Sequence, residues 1–253
     1  MSINVIEFNI SKISDTKIRT SFKNFLARNK SYRNDFLQSN YKNAFDGYSY
    51  IGQKDSLNQY DTDMLYSFVL SDFHDINKFP MEFHYFLLED WKEIKRVVRQ
   101  RETEILKKIN NPNLNRLYEN NAIGYMISCN YYPKPKNVDF AAQCNKRLSL
   151  HKDVSLLTTF PFGISKGFSY FKNKNKIELG ERNNIFSFPG YFLEFSTNKT
   201  HTALSHQVDL PTNTESERFS FAIFSIPKPN INFKIEKENI QSNDYYKQYL
   251  SLF

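Results

Sequence analysis

Two different apolar periodicities divide this chain, and the order in which they come limits the folds open to it. Between Phe83 and Ile109, apolar residues such as Phe86, Trp91, Ile94, Val98 and Ile105 recur at spacings of three and four, which is one face of a helix. From residue 123 onward, short runs rich in Phe, Tyr, Ile and Leu alternate with Asn, Lys, Gly and Pro, the pattern of many strands. Helices first and strands later argue for an α+β chain with a mainly β core. The aromatic share is 16%, with 24 Phe and 16 Tyr, which suits a core where two sheets interdigitate large side chains. The fold predicted is a double-stranded β-helix (jelly roll) with flanking helices, including one long scaffold helix near 80–110.

The 253 residues, 40% hydrophobic, are expected to form a single domain over 1–253. Its parts would be a mostly helical and looped N-terminal part (1–122), a jelly-roll core (123–230) and a C-terminal tail or helix (231–253). In the first part, Ile18, Phe22, Phe25 and Leu26 predict a short helix over 15–29. A polar, Asn- and Tyr-rich stretch with few helix signals then runs to about Gly52. Phe79-Pro80 reads as the start of the scaffold helix and Asn110-Asn111-Pro112 as its end.

His151-Lys152-Asp153 is the pattern with the most chemistry in it. On a strand, residues two apart point to the same face, so this pair could give one imidazole nitrogen and one carboxylate oxygen to the same metal. His206, far downstream, is placed to bring a third ligand from a distant strand. Two histidines and a carboxylate with the other positions open are the facial triad of non-haem iron(II) oxygenases. A His-x-Asp pair also arises by chance in proteins of this size, so its neighbours decide. Two further pairs share a face by the same rule: Asn130 with Tyr132, and Arg218 with Ser220. A guanidinium fork beside a hydroxyl suits a carboxylate held in a partly buried pocket. Without such an anion, Arg218 would be a costly buried charge.

The text around these residues resembles the isopenicillin-N-synthase-like branch of the 2-oxoglutarate/iron(II) oxygenases. Asn130-Tyr131-Tyr132-Pro133 is similar to that family's Asn-Tyr-Tyr-Pro strand, and His151-Lys152-Asp153-Val154-Ser155-Leu156-Leu157-Thr158 to its His-x-Asp strand. Gly190 through His206 is similar to its Gly-to-distal-histidine run, and Arg218-Phe219-Ser220 to its Arg-x-Ser strand. The resemblance is tight over about 125–230 and loose before that, where Ile3 to Phe8 looks like the family's opening strand and Gly47-Tyr48-Ser49 and Asn77 to Pro80 like the lead into its scaffold helix. A further helix and strand that the family carries between these are not readable here. Inside the core, Tyr191 stands for an expected Asp and Lys199 for a turn Gly, which touches loop shape rather than chemistry.

The resemblance implies iron(II) on His151, Asp153 and His206, and 2-oxoglutarate chelating it with its far carboxylate on Arg218 and Ser220. Tyr132 and Asn130 would assist, and dioxygen is the oxidant. No catalytic residue beyond the metal ligands is implied, and hydroxylation, desaturation and oxidative cyclisation all stay open. Two other readings also stand. An isopenicillin-N-synthase-type oxidase would use the Arg-x-Ser pair for the substrate carboxylate and need no 2-oxoglutarate. A non-catalytic jelly-roll binding protein is the other, for which the shortened N-terminal half is the support.

The expected partner is a small-molecule substrate, acidic or derived from an amino acid, with walls supplied by 30–75, 134–147 and 160–180; the oligomeric state is unread. The net charge of +7 is spread along the chain rather than gathered in a stripe, which argues against nucleic acid. The nucleic-acid demethylase branch of the superfamily carries a second arginine six residues after the first, and here that position is Phe224. Cys129 and Cys144 have no CxxC spacing and suggest neither a disulfide framework nor a zinc site. With no apolar run near the length of a membrane span and no signal peptide, a soluble, cytoplasmic protein is expected. His201 is expected to face away from His206 on a shared strand, exposed or stacked, and His74 and His84 to be surface or packing residues.

Overall fold

The computed structural model describes residues 5–42, 45–53, 63–138, 144, 146–213, 216–235 and 238–252. The chain opens with strand β1 (Ile6–Ser11) and helix α1 (Thr16–Leu26), which buries Ile18, Phe22 and Phe25 on one face. The polar stretch that follows carries more structure than its composition suggests: helix α2 (Lys30–Asn34), a short 3-10 turn and strand β2 (Gly47–Ser49). Helix α2 is started by Asn29, whose side chain accepts from the Tyr32 N–H, a local bond that composition does not reveal. Strand β3 (Tyr66–Ser71) comes next.

The scaffold helix is real but broken. A 3-10 turn over Met81–Phe83 leads into α3 (His84–Glu89), and Asp90 interrupts the helix before α4 (Trp91–Ile109). The Asp90 carboxylate, 2.8 Å from Lys17 Nζ of α1, holds that corner. Asn110 closes α4 in the left-handed region at φ 52, and Asn111 caps α5 (Pro112–Glu119).

Strand β4 (Ile123–Tyr132) starts the β half, followed by β5 (Leu148–His151), β6 (Leu157–Phe160), β7 (Phe168–Lys172), β8 (Asn175–Leu179) and β9 (Asn184–Pro189). Asn173 and Lys174, both at positive φ, turn β7 into β8, so the lysine-rich run there is a hairpin tip. Helix α6 (Tyr191–Ser196), β10 (His206–Val208), β11 (Arg218–Pro227), the β12 (Asn232–Ile235) and β13 (Glu238–Gln241) pair, and helix α7 (Ser242–Leu250) complete the described chain.

Two antiparallel sheets form a jelly roll, one in the order β1-β9-β6-β11-β4-β3-β2 and the other β5-β10-β7-β8. Phe160, Phe186 and Phe188 of the large sheet meet Phe168 of the small one, with Phe160 stacked on Phe186 at 4.8 Å. Helices α1, α3 and α4 cover the outer face of the large sheet through Phe22, Phe86, Trp91 and Val98. Among the described residues, no helix is long and apolar enough to cross a membrane.

Three expectations are corrected here. The Gly190–His206 run is not one strand, because α6 and a turn occupy most of it. His201 therefore shares no strand with His206 and is buried rather than exposed. The length of the 209–217 loop suits an antiparallel return beside the His206 strand, but β11 does not run beside β10. It pairs with β4 and β6, so the connection from β10, of which 214–215 lie outside the described residues, crosses from the small sheet to the large one. Asp153 lies beyond the end of β5, so alternation along a strand is not what aligns it with His151.

Candidate metal centre

The structure brings His151, Asp153 and His206 together, with one ligand atom from each lying within 4.8 Å of the others. His151 and His206 are direct partners across the β5–β10 pair. The His206 ring lies between Phe168, stacked at 5.0 Å, and Phe188, edge-on at 5.0 Å. Each imidazole is oriented through its other nitrogen: His151 Nδ1 is 2.8 Å from the Ser149 carbonyl and His206 Nδ1 is 3.2 Å from the Leu204 carbonyl. A nitrogen that donates to a carbonyl leaves the opposite one with a lone pair. Both Nε2 atoms then face Asp153 Oδ1, at 3.2 Å and 3.7 Å. Three electron-rich atoms converging in a buried place call for a cation, and an N,N,O donor set on one side suits a divalent transition metal with open positions.

The loop that carries Asp153 is fastened at both ends. Thr158 Oγ1 donates to Asp153 Oδ2 at 2.6 Å. The Tyr249 hydroxyl of α7 donates to the Lys152 carbonyl at 2.8 Å, and Tyr245 donates to that of Val154. The Tyr191 N–H at the start of α6 donates to the Asp153 carbonyl at 2.6 Å. That approach needs Gly190, since a Cβ there would sit 2.2 Å from the Ser155 carbonyl oxygen. A backbone N–H makes this bond, so Tyr191 serves where the family carries Asp. Lys199 takes up φ 62 at the place of the family's turn Gly. Lys152 turns outward to Glu194, at 2.8 Å.

Charge within the group follows from its burial. Burial alone would raise the Asp153 carboxyl, but His206 and His151 beside it and the Thr158 bond hold it below the usual range. Burial lowers His206 to about 4 and keeps it neutral. For His151, burial also works against the charged form, but the Asp153 hydrogen bond and charge outweigh it and the pKa is raised.

The second set of residues lines the same cavity. On β4 and β11, Tyr132 faces Arg218 and Asn130 faces Ser220 in direct register. Tyr131, of opposite parity, packs outward on Phe219 at 4.6 Å. Arg218 is 5% exposed and stacks on the Tyr132 ring at 5.0 Å, yet its Nε and Nη1 have no hydrogen-bond partner. Burial lowers its pKa, partly offset by Tyr132. A buried guanidinium with idle donors fits an anion in the cavity.

Reading the sequence missed Arg147, which stands behind Tyr132, and Asp63, which lines the cavity. Arg147 is buried beside Tyr132, donates to the Ser216 carbonyl and is lowered to about 10 by burial and by the charge of Arg218. Asp63 lines the cavity and accepts from the Ser149 N–H at 3.0 Å and hydroxyl at 2.6 Å, which fixes the strand end next to His151. The Lys146-Arg147 pair just before β5 was the available signal for the first. Of the expected walls, 30–75 gives Phe45, Asp63, Leu65 and Val69, and 160–180 gives Phe160 and Phe168. Most of the middle of 134–147 lies outside the described residues. His74, 3.2 Å from Asp46, and His84, bonded to the Phe79 carbonyl, are away from this cavity. Cys129 points to the opposite face from Asn130 and is a buried thiol whose pKa burial raises.

Residues 123–227 match the model of the 2OG-Fe(II) oxygenase superfamily. No curated protein sequence matches the chain. Among solved structures, the chain is similar to a full-length Neurospora crassa protein in complex with alpha-KG and 5-formyluracil, at 16% identity and a TM-score of 0.71, covering 98% of this chain and 85% of that one. It is similar to JOX2 in complex with 2OG, Fe and JA, at 16% identity and a TM-score of 0.75, covering 98% and 78%. It is also similar to the dioxygenase for auxin oxidation 1 from Arabidopsis thaliana in a 2-oxoglutarate complex, at 13% identity and a TM-score of 0.64, covering 87% and 81%. At these identities the likeness is one of fold.

Proposed function

From the 2OG-Fe(II) oxygenase unit that residues 123–227 form, we propose that this enzyme is a non-haem iron(II), 2-oxoglutarate-dependent oxygenase of a small molecule. His151 Nε2, Asp153 and His206 Nε2 are the metal ligands in this reading. A metal held there would supply the activation of dioxygen that couples oxidation of a substrate C–H bond to conversion of 2-oxoglutarate to succinate and carbon dioxide, one oxygen atom going to succinate and the other to the substrate or to water.

The remaining work falls to the chain. Arg218 offers its idle Nε and Nη1 to the far carboxylate of 2-oxoglutarate, with the Ser220 hydroxyl and Tyr132 beside it and Asn130 further along the row. Arg147 adds positive potential behind Tyr132. The Thr158 bond holds one carboxylate oxygen of Asp153, leaving Oδ1 for the metal. Leu65, Leu148 and Val208 close the anchor end against water. Phe224, where a second arginine would serve a nucleic-acid demethylase, supports a small molecule instead.

The observation that carries this reading is a buried guanidinium with unused donors in the cavity where three metal-type ligand atoms converge. The test is anaerobic titration of iron(II) and then 2-oxoglutarate, followed by the metal-to-cosubstrate absorption band. Stoichiometric iron binding should be lost in the His151→Ala/Asp153→Ala/His206→Ala variant, and its retention there would sink the assignment. Substrate turnover without 2-oxoglutarate or succinate release would replace it with the oxidase reading.

A further inference from the structure

The inward row of the large sheet does not end at the metal. Paired across β11 and β4, Arg218–Tyr132, Ser220–Asn130, Ala222–Ser128 and Phe224–Met126 all line the metal cavity. Two residues on, Ile226 lines a second cavity of about 390 Å³. Phe45 and Met126 line both cavities and form the wall they share. The order along the row places the metal between the anchor and this wall. Thr158, which holds Asp153, pairs with Phe224 late in β11, whereas Arg218 is the first residue of that strand. The second cavity therefore lies beyond the metal from the 2-oxoglutarate anchor.

Volume separates the roles of the two spaces. The metal cavity measures about 130 Å³. At roughly 10–15 Å³ per water-sized atom, it has room for on the order of ten such atoms, which 2-oxoglutarate alone takes up. Pockets that enclose an organic ligand run to about 300–1,000 Å³. Of these two, the second cavity alone falls in that range.

The lining gives the chemistry. Phe45, Phe73, Met126, Ile226 and Leu250 make an apolar body, while Lys42 and Lys247 stand at its mouth. The Asp46 carboxylate of the same wall is buried and accepts from the Ser71 hydroxyl at 2.6 Å, and Lys247 meets Asp244 at 3.4 Å, so Lys42 and Lys247 are the cations that this lining sets at its exposed rim. Phe45 sits edge-on to Tyr246, which lines the second cavity, at 5.4 Å, and to Tyr249, which lines the first, at 6.2 Å. One ring thus stands between the two spaces.

We infer that the second cavity is the outer part of the substrate chamber and that Phe45 sets how far a substrate reaches toward the metal. The substrate class that fits is an elongated, mainly apolar small molecule with an anionic outer end held at Lys42 and Lys247. This rests on the oxygenase reading of the metal cavity.

The experiment uses 8-anilinonaphthalene-1-sulfonate, an apolar anion whose fluorescence rises in a dry cavity, titrated into protein loaded with nickel(II) and saturating 2-oxoglutarate. One probe per chain should bind with 2-oxoglutarate in place, and Lys42→Glu/Lys247→Glu should weaken it at least about tenfold, the cost of turning two attractive charges repulsive. With cobalt(II) replacing nickel(II), Phe45→Ala should let the probe advance, so that the metal quenches its fluorescence about twofold more than in the wild type. Displacement of the probe by 2-oxoglutarate, or an affinity that the double charge reversal leaves unchanged, overturns the inference. Quenching unaffected by Phe45→Ala overturns the role given to Phe45. If nickel and 2-oxoglutarate do not bind at all, the oxygenase reading fails by itself. The charge-reversal arm on metal-free protein then still decides whether this cavity holds the anion.

Discussion

Glu102 gives the scaffold helix α4 a pH dependence that can be measured. Its carboxyl is fully buried, accepts the hydroxyls of Tyr118 and Tyr125 at 2.8 Å each on Oε2, and has no hydrogen bond at Oε1. Burial pushes its pKa up to about 7, against the opposing effect of the Ser225, Tyr125 and Tyr118 hydroxyls around it. The folded protein thus keeps a proton there that the unfolded chain, at its ordinary value of about 4.5, releases earlier. The stabilisation from this group is complete below about pH 4.5, declines as pH rises, and is gone above about pH 7. The gap is worth about 3 kcal/mol at 1.36 kcal/mol per pK unit. Glu102→Gln imitates the protonated form: its carbonyl oxygen can accept both tyrosine hydroxyls, and it has no proton to lose. Urea unfolding, followed by the fluorescence of Trp91 on the same helix, should find the two proteins similar near pH 5 and the Gln variant ahead by about 3 kcal/mol near pH 8. A stability difference that stays constant between those pH values would refute the reasoning. Glu102→Leu should lose stability at every pH, because two buried hydroxyls are orphaned at about 1–3 kcal/mol each.

Thr158→Val removes the bond that orients Asp153, and metal affinity measured against a chromophoric chelator should fall about 10–100-fold; equal affinity would show that the loop holds the carboxylate unaided. Arg218→Ala should weaken 2-oxoglutarate by about 2–5 kcal/mol and Ser220→Ala by about 1 kcal/mol in calorimetry, with metal binding intact in both. Arg147→Ala should weaken 2-oxoglutarate less than Arg218→Ala does, and more at low than at high salt, because it acts through potential rather than contact. A loss equal to that of Arg218→Ala would place Arg147 in the anchor itself.

The cluster of His151, Asp153 and His206 was legible because His-x-Asp is a distinctive pair and the run from Gly190 has the spacing that ends on His206. The row of Arg218, Ser220, Asn130 and Tyr132 was legible because strand alternation sets Arg218 with Ser220 and Asn130 with Tyr132, and the β4–β11 register joins the two pairs. Even there, the route to Asp153 differed: a fastened loop, not strand alternation, brings it to His151. The helical stripe identified α4 but not the break at Asp90, because Leu87, Trp91 and Ile94 keep spacings of four and three across it. Nor did it identify Glu102, a buried carboxyl four positions after Val98 on the apolar face. Periodicity counts charged residues as solvent-facing, and the two tyrosines that make this one tolerable come from α5 and β4. The second cavity was illegible for a similar reason. Phe45, Ile226 and Tyr246 come from three remote parts of the chain, and each reads locally as ordinary core.

The β5–β10 pairing has a consequence for how long the protein lasts. These strands are four and three residues long, and the two histidines are their facing residues. A metal held there acts as a rivet between segments far apart in the chain, and the Asp153 loop carries its grip on to α7 through Tyr245 and Tyr249. Whatever binds only the folded form adds to its stability, so loss of the metal would weaken this short pair. Opened segments are where proteases act, and modest losses of stability change cellular abundance several-fold. Iron scarcity would then thin out the protein as well as silence it, and the same three side chains would set both its activity and its lifetime.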